Sequence, residues 1–184
     1  MQHILRKTVL LSLIVSLLAS CTTTIRDMPI DFDEERVQLT LEYLEERYNI
    51  VQSDPHIDPE MIVVHYTVVP TLERTFEVLN SARLPDSRPG IAGAGALNVS
   101  SQFLVDRDGT IYRLMPETYM ARHVIGLNHC AIGIENVGGG SELPLTDAQL
   151  DANVWLIRYL KKKHDIQYLI AHSEYTLFEG HELW

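Results

Sequence analysis

Cysteine is nearly absent from these 184 residues, with only Cys21 and Cys130 present. If Cys21 is used elsewhere, Cys130 is the only free thiol and there is no intramolecular disulfide framework. Basic residues are also scarce. Lys and Arg number 15 against 25 Asp and Glu, a formal charge of −10. That balance gives no electrostatic footprint for nucleic acid and excludes it as a partner. No internal repeat and no low-complexity run occurs. The longest mostly apolar stretch, Thr8 to Leu18, is shorter than the ~20 residues a membrane-spanning helix needs. What remains is ordinary globular material. The chain is 46% hydrophobic, and its length suits one domain around a single core.

The first residues have the layout of an export signal. Arg6 and Lys7 form a basic start, the apolar stretch follows, and Leu18-Ala19-Ser20 leads into Cys21. Small residues before a cysteine resemble a bacterial lipobox. The resemblance implies removal of residues 1–20 and lipidation of Cys21, hence a membrane anchor. Thr22 rather than Asp after the cysteine implies the outer membrane, facing the periplasm. An ordinary signal with a chance cysteine is the alternative. Residues 21–31 then read as a tether, and residues 32–184 as the domain.

Within the domain, helix and strand patterns alternate. Asp33 to Tyr48 reads as a helix with Val37, Leu41, Leu44 and Tyr48 on one stripe. Met61 to His65 reads as a buried strand. Thr71 caps a short helix to Asn80, with Leu72, Phe76 and Leu79 inward. Residues 83–98, rich in Pro, Gly and Ala, form a loop whose place between motifs suggests that it lines a groove. Gln102–Val105 and Thr110–Leu114 flank Asp106-Arg107-Asp108-Gly109, a hairpin signal. Ala131–Asn136 is a strand ended by three glycines. Thr146-Asp147-Ala148-Gln149 is a capping box. It opens a helix to about Lys163, with Leu150, Val154, Ile157 and Leu160 inward. The lysines at 161–163 suit the helix dipole at its last turn. Gln167–His172 is the last strand. The fold expected is α/β, a central mixed sheet flanked by helices in one domain.

Alternation along the strands singles out three residues. His65 lies on the face opposite Ile62 and Val64, Glu135 opposite Ile132 and Ile134, and His172 ends the last strand. Two imidazoles and a carboxylate at neighbouring strand ends could bind zinc and activate its water. A histidine at a strand end is also an ordinary structural residue.

Four segments carry a family resemblance. They are Met61-Ile-Val-Val-His65-Tyr-Thr, Val105-Asp-Arg-Asp-Gly-Thr-Ile111, Ala121-Arg-His123 onward to Ile132-Gly-Ile-Glu135, and Leu169-Ile-Ala-His172-Ser-Glu. In this order and spacing the chain resembles the type 2 N-acetylmuramoyl-L-alanine amidases, which include the peptidoglycan recognition proteins. With the lipobox it is most similar to the outer-membrane lipoprotein amidases. The resemblance implies zinc held by His65 and His172, Glu135 as general base, and His123 lining the substrate groove. It implies cleavage of the bond between N-acetylmuramic acid and L-alanine in peptidoglycan or muropeptides. His129 and His164 read as structural or exposed, and Cys130 as a packed thiol.

The chain departs from the family after His172. Members carry a third ligand, Asp or Cys, with a lysine two residues before it. Neither occurs in Ser173 to Trp184. Three explanations follow. The segment lies beyond Trp184; or Glu179, His181 or Glu182 replaces the ligand; or the protein only binds peptidoglycan.

Overall fold

The computed structural model describes residues 23–184. The export signal and Cys21 lie outside the described residues. Six strands form one sheet: β1 (Ile25–Asp27), β2 (Met61–Val64), β3 (Phe103–Val105), β4 (Ile111–Arg113), β5 (Ala131–Asn136) and β6 (Tyr168–Ala171). Their spatial order is β1-β4-β3-β5-β2-β6. Only the β3–β4 hairpin is antiparallel; the other pairs are parallel. The expected mixed sheet is therefore present.

The apolar runs have a direct cause. A parallel strand in mid-sheet is covered on both faces and needs apolar residues at successive positions. Met61, Ile62 and Val63 of β2 are all fully buried. On one face Ile62, Ile132 and Ile134 pack under Leu156 and Leu160 of α4 (Asp147–Lys163). On the other, Met61, Val63 and Ala131 pack against Val124, Leu127 and Phe178. Helices α1 (Glu34–Tyr48) and α2 (Leu72–Asn80) cover the flank of this second layer. The short α3 (Pro89–Ala92) lies within the loop of residues 83–98.

Three expectations need correction. Residues 25–27, placed in the tether, are the edge strand β1, paired with β4. Ile30 behind it is buried in the core. Ile25 was too short an apolar signal to separate from a linker. The buried face of α1 runs through Arg36, Leu39, Thr40, Tyr43 and Leu44; of the expected stripe only Leu44 is fully buried, with Leu41 and Tyr48 half-buried at its edge. The Arg36 guanidinium explains the rotation. It donates to the carbonyls of Leu79, Asn80 and Ser81 and closes the C-terminal end of α2.

On α4 the buried face is Gln149, Ala152, Asn153, Leu156 and Leu160, while Leu150 and Val154 are exposed. Gln149 Nε2 donates to the carbonyls of Val105 and Val137, and Asn153 Nδ2 to Oδ1 of Asn136. Polar side chains thus face the ends of β3 and β5, where Gln149 satisfies Val137 O and gives Val105 O, already bonded to Val137 N–H, a second donor. The capping box at Thr146 and Gln149 forms as expected.

Candidate active site

Register fixes the site. Val64 pairs with Ile134 on one side and Ala171 on the other. One residue further along the three parallel strands stand His65, Glu135 and His172. His172 follows β6 and opens a 3₁₀ segment, His172–Phe178, rather than ending the strand itself. All three side chains line a cleft of about 550 Å³. Clefts of this kind form at the carboxyl ends of parallel strands.

The ladder beyond β2 is maintained by backbone bonds. His65 N–H donates to Ile134 O, Thr67 N–H to Asn136 O, and Val68 N–H to Gly138 O. Val68 is held in the left-handed region at φ 52°, a strained state for a β-branched residue. The turn it makes leaves Tyr66 exposed on the rim of the cleft.

The imidazoles form a cluster. The rings of His65 and His172 lie 4.7 Å apart, and those of His65 and His123 5.0 Å apart and perpendicular. Nε2 of His65 is 3.0 Å from Nδ1 of His123, and Nε2 of His123 is 3.3 Å from Ala131 O. Burial, then the neighbouring His123 and His172, pushes His65 down to about 2. Burial brings His123 down to about 4 and lowers His172 as well. The cluster is therefore neutral at pH 7, the form that binds metals. His123 lines the cleft, but both its ring nitrogens already have partners.

Glu135 lies beside them with Oε2 buried and unpartnered. Burial raises its carboxyl to about 7, against the opposing charge of Arg88. A carboxyl near neutrality with a free oxygen on a cleft is suited to proton transfer.

The loop of residues 83–98, expected to line a groove, contributes Arg88 to the cleft. Two arginines there escaped the sequence reading. Arg88 lines the cleft and has no side-chain hydrogen bond or ion pair among the described residues. Arg122 is buried and donates to Ile91 O, Gly95 O and Leu97 O, tying the loop to the strand layer. Arg122 precedes His123 in the third motif, so its position was visible, but a side chain spent on carbonyls leaves no periodic signal.

Two imidazoles at 4.7 Å suit two ligands of one zinc ion, which takes nitrogen donors readily. Among the described residues, however, no group of three His, Cys, Asp or Glu side chains is arranged to hold a metal. The suggested substitutes do not supply the third. None of Glu179, His181 and Glu182 lines the cleft. His181 packs instead on Tyr168 and Phe178, with its Nε2 3.4 Å from the Tyr168 hydroxyl. Cys130 is buried, its thiol pushed up to about 12 by desolvation, and His129 stacks on Tyr48. Both are packing residues, as expected. His164 pairs with Glu117.

A cleft at the carboxyl edge of a mixed sheet, lined by neutral imidazoles and an acid of raised pKa, defines a hydrolase-like site. Residues 55–182 match the family model described as N-acetylmuramoyl-L-alanine amidase, and the chain belongs to that family. No curated protein matches the sequence. Among solved structures, it is similar to the N-acetylmuramoyl-L-alanine amidase LysC from Clostridium intestinale URNW. That pair shares 26% identity over 83% of this chain and 85% of the other, with a TM-score of 0.53. A selenomethionine derivative of AmpD gives 22% identity, 80% of each chain and a TM-score of 0.53. Drosophila peptidoglycan recognition protein SA gives 21%, 82% of this chain and 81% of that one, and 0.52. The last two likenesses concern the fold.

Proposed function

We propose that this protein hydrolyses the amide between N-acetylmuramic acid and L-alanine in peptidoglycan or muropeptides, with Glu135 as general base. The observation that carries this reading is the register that sets Glu135 beside His65 and His172, within a chain of the amidase family. His65 and His172 would hold zinc; among the described residues no third donor joins them. Zinc bound there would supply Lewis-acid polarisation of the scissile carbonyl and acidify water in the cleft.

The residues of this chain do the rest. The cleft orients the amide across the strand ends. The unpartnered Oε2 of Glu135 takes a proton from the attacking water and delivers it to the leaving amine of L-alanine. The carboxylate form is required, so rates should climb through pH 7 as Glu135 ionises. The lipobox reading extends the proposal: Cys21 carries lipid and holds the domain at the outer membrane, facing the periplasm.

A second reading is a module that binds peptidoglycan without cutting it. The lack of a third metal donor among the described residues favours it. Both are tested by incubating purified muropeptides with the protein and its Glu135→Gln variant, with zinc content measured in parallel. Stem peptide released by the wild type and reduced at least about 100-fold in the variant supports the amidase. Tight muropeptide binding with no release supports the binding module. Neither binding nor release overturns both.

A further inference from the structure

We propose that His123 is a positioning residue that sets the tautomer of His65, leaving Nδ1 of His65 as its ligand-facing lone pair. The inference rests on the reading of His65 as a metal ligand and goes beyond the groove-lining role that the family resemblance implied for His123.

The argument starts at a backbone carbonyl. Ala131 O has no proton to give, so Nε2 of His123, 3.3 Å away, must be the donor in that contact. A second proton on His123 would place a charge among two other imidazoles, away from water, which is costly. Its Nδ1 therefore carries a lone pair. Nε2 of His65, 3.0 Å from that atom, must then donate. One nitrogen of His65 remains, and it is Nδ1. The protons run in one direction, from His65 to His123 to the backbone. Ligating histidines are commonly fixed in this manner by the hydrogen bond on the other ring nitrogen.

His123 is itself held on three sides. Its backbone N–H and that of Val124 both donate to Oδ1 of Asn128, each at 2.9 Å. Its ring lies on Gly133, where a Cβ would come within 2.8 Å of the His123 Cγ. Gly133 N–H is bound in turn by Oε1 of Gln102 at 2.7 Å. The glycine in Ile132-Gly133-Ile134 is thus the seat of the imidazole. The two rings are perpendicular, with centroids 5.0 Å apart, and meet through their nitrogen edges.

The test uses His123→Phe, which keeps a ring of similar size without nitrogens, and His123→Asn, whose Oδ1 retains an acceptor near the Nδ1 position. Two readouts are taken on protein shown to be folded by circular dichroism. Long-range ¹H–¹⁵N NMR on the metal-free wild type reads the His65 tautomer directly. Competition with a chromophoric chelator gives zinc affinity. The expectation is a proton on Nε2 of His65 in the wild type, zinc affinity lowered about 10–100-fold in His123→Phe, and recovery of most of it in His123→Asn. A proton on Nδ1 of His65 in the wild type overturns the proposal, as does His123→Phe binding zinc as tightly as the wild type. If no form binds zinc, the metal reading fails while the NMR tautomer still decides the role of His123.

Discussion

Glu135 and His65 are strand neighbours whose acidities shift in opposite senses. Burial raises Glu135 to about 7 from 4.5 and lowers His65 to about 2 from 6.5. Folding favours the protonated acid, so the Glu135 contribution to stability is complete below about 4.5 and is lost as pH rises through about 7. The histidine works the other way, costing stability as pH falls below 6.5. Glu135→Gln isolates the first effect. In metal-free protein, urea unfolding at pH 5 and pH 8 should show the variant gaining on the wild type at the higher pH, by on the order of 1–3 kcal/mol. A variant that loses ground between the two pH values contradicts a buried, unpartnered carboxyl. Alternation assigned the faces of His65 and Glu135, His172 was read only as the end of the last strand, and the family resemblance singled out the three together. Arg88 and Arg122 were not legible, since neither periodicity nor turn chemistry marks a loop arginine.

Among the elements, α4 carries a buried carboxylate knot at its C-terminal end. Glu117, from the loop after β4, accepts from Lys163 Nζ at 2.7 Å, Tyr159 Oη at 3.2 Å and His164 Nε2 at 2.8 Å. Burial works to raise its pKa, but the hydrogen bonds from Lys163 and His164 outweigh it and hold the carboxyl below its usual value. A depressed acid gives stability that is present at neutral pH and disappears as pH falls through its folded value. Glu117→Gln should therefore destabilise the protein at pH 7 by about 1–3 kcal/mol, with the gap to the wild type closing in acid. Chemical denaturation across pH 3–7 measures both parts. A gap that persists unchanged in acid would show that packing, rather than charge, sets the loss. The lysine run of α4 was read as dipole-compensating, and Lys163 adds this partner. The inward face of α4 was misread because Gln149 and Asn153 are polar yet buried. Gln149 bonds the carbonyls of Val105 and Val137 and Asn153 the Asn136 side chain, tertiary partners that no helical pattern contains.

For the molecule as a whole, the sheet begins earlier than composition suggests. Beyond the β1–β4 pairing, Met28 and Ile30 N–H groups donate to Arg113 O and Leu114 O, and Asp27 pairs with Arg113 at 2.8 Å. A chain starting at residue 33 should be less stable than one starting at residue 23 by about 2–5 kcal/mol, the range expected for losing a buried Ile and its surroundings. Urea midpoints of the two chains decide it, and equal midpoints would restore residues 23–31 to the role of linker. The layer order was legible because four motifs arrived with strand-like runs between helical ones. The edge strand was not, because three residues of mixed polarity carry no period.

The clamp of Arg122 on Ile91, Gly95 and Leu97 bears on how a ligand arrives. A loop pinned through its own carbonyls holds Arg88 at the cleft on a fixed base, and a fixed base has little motional freedom to give up on contact. Association should be governed by the frequency of encounters and the orientation of the incoming glycan-peptide, with selectivity expressed in how long it stays.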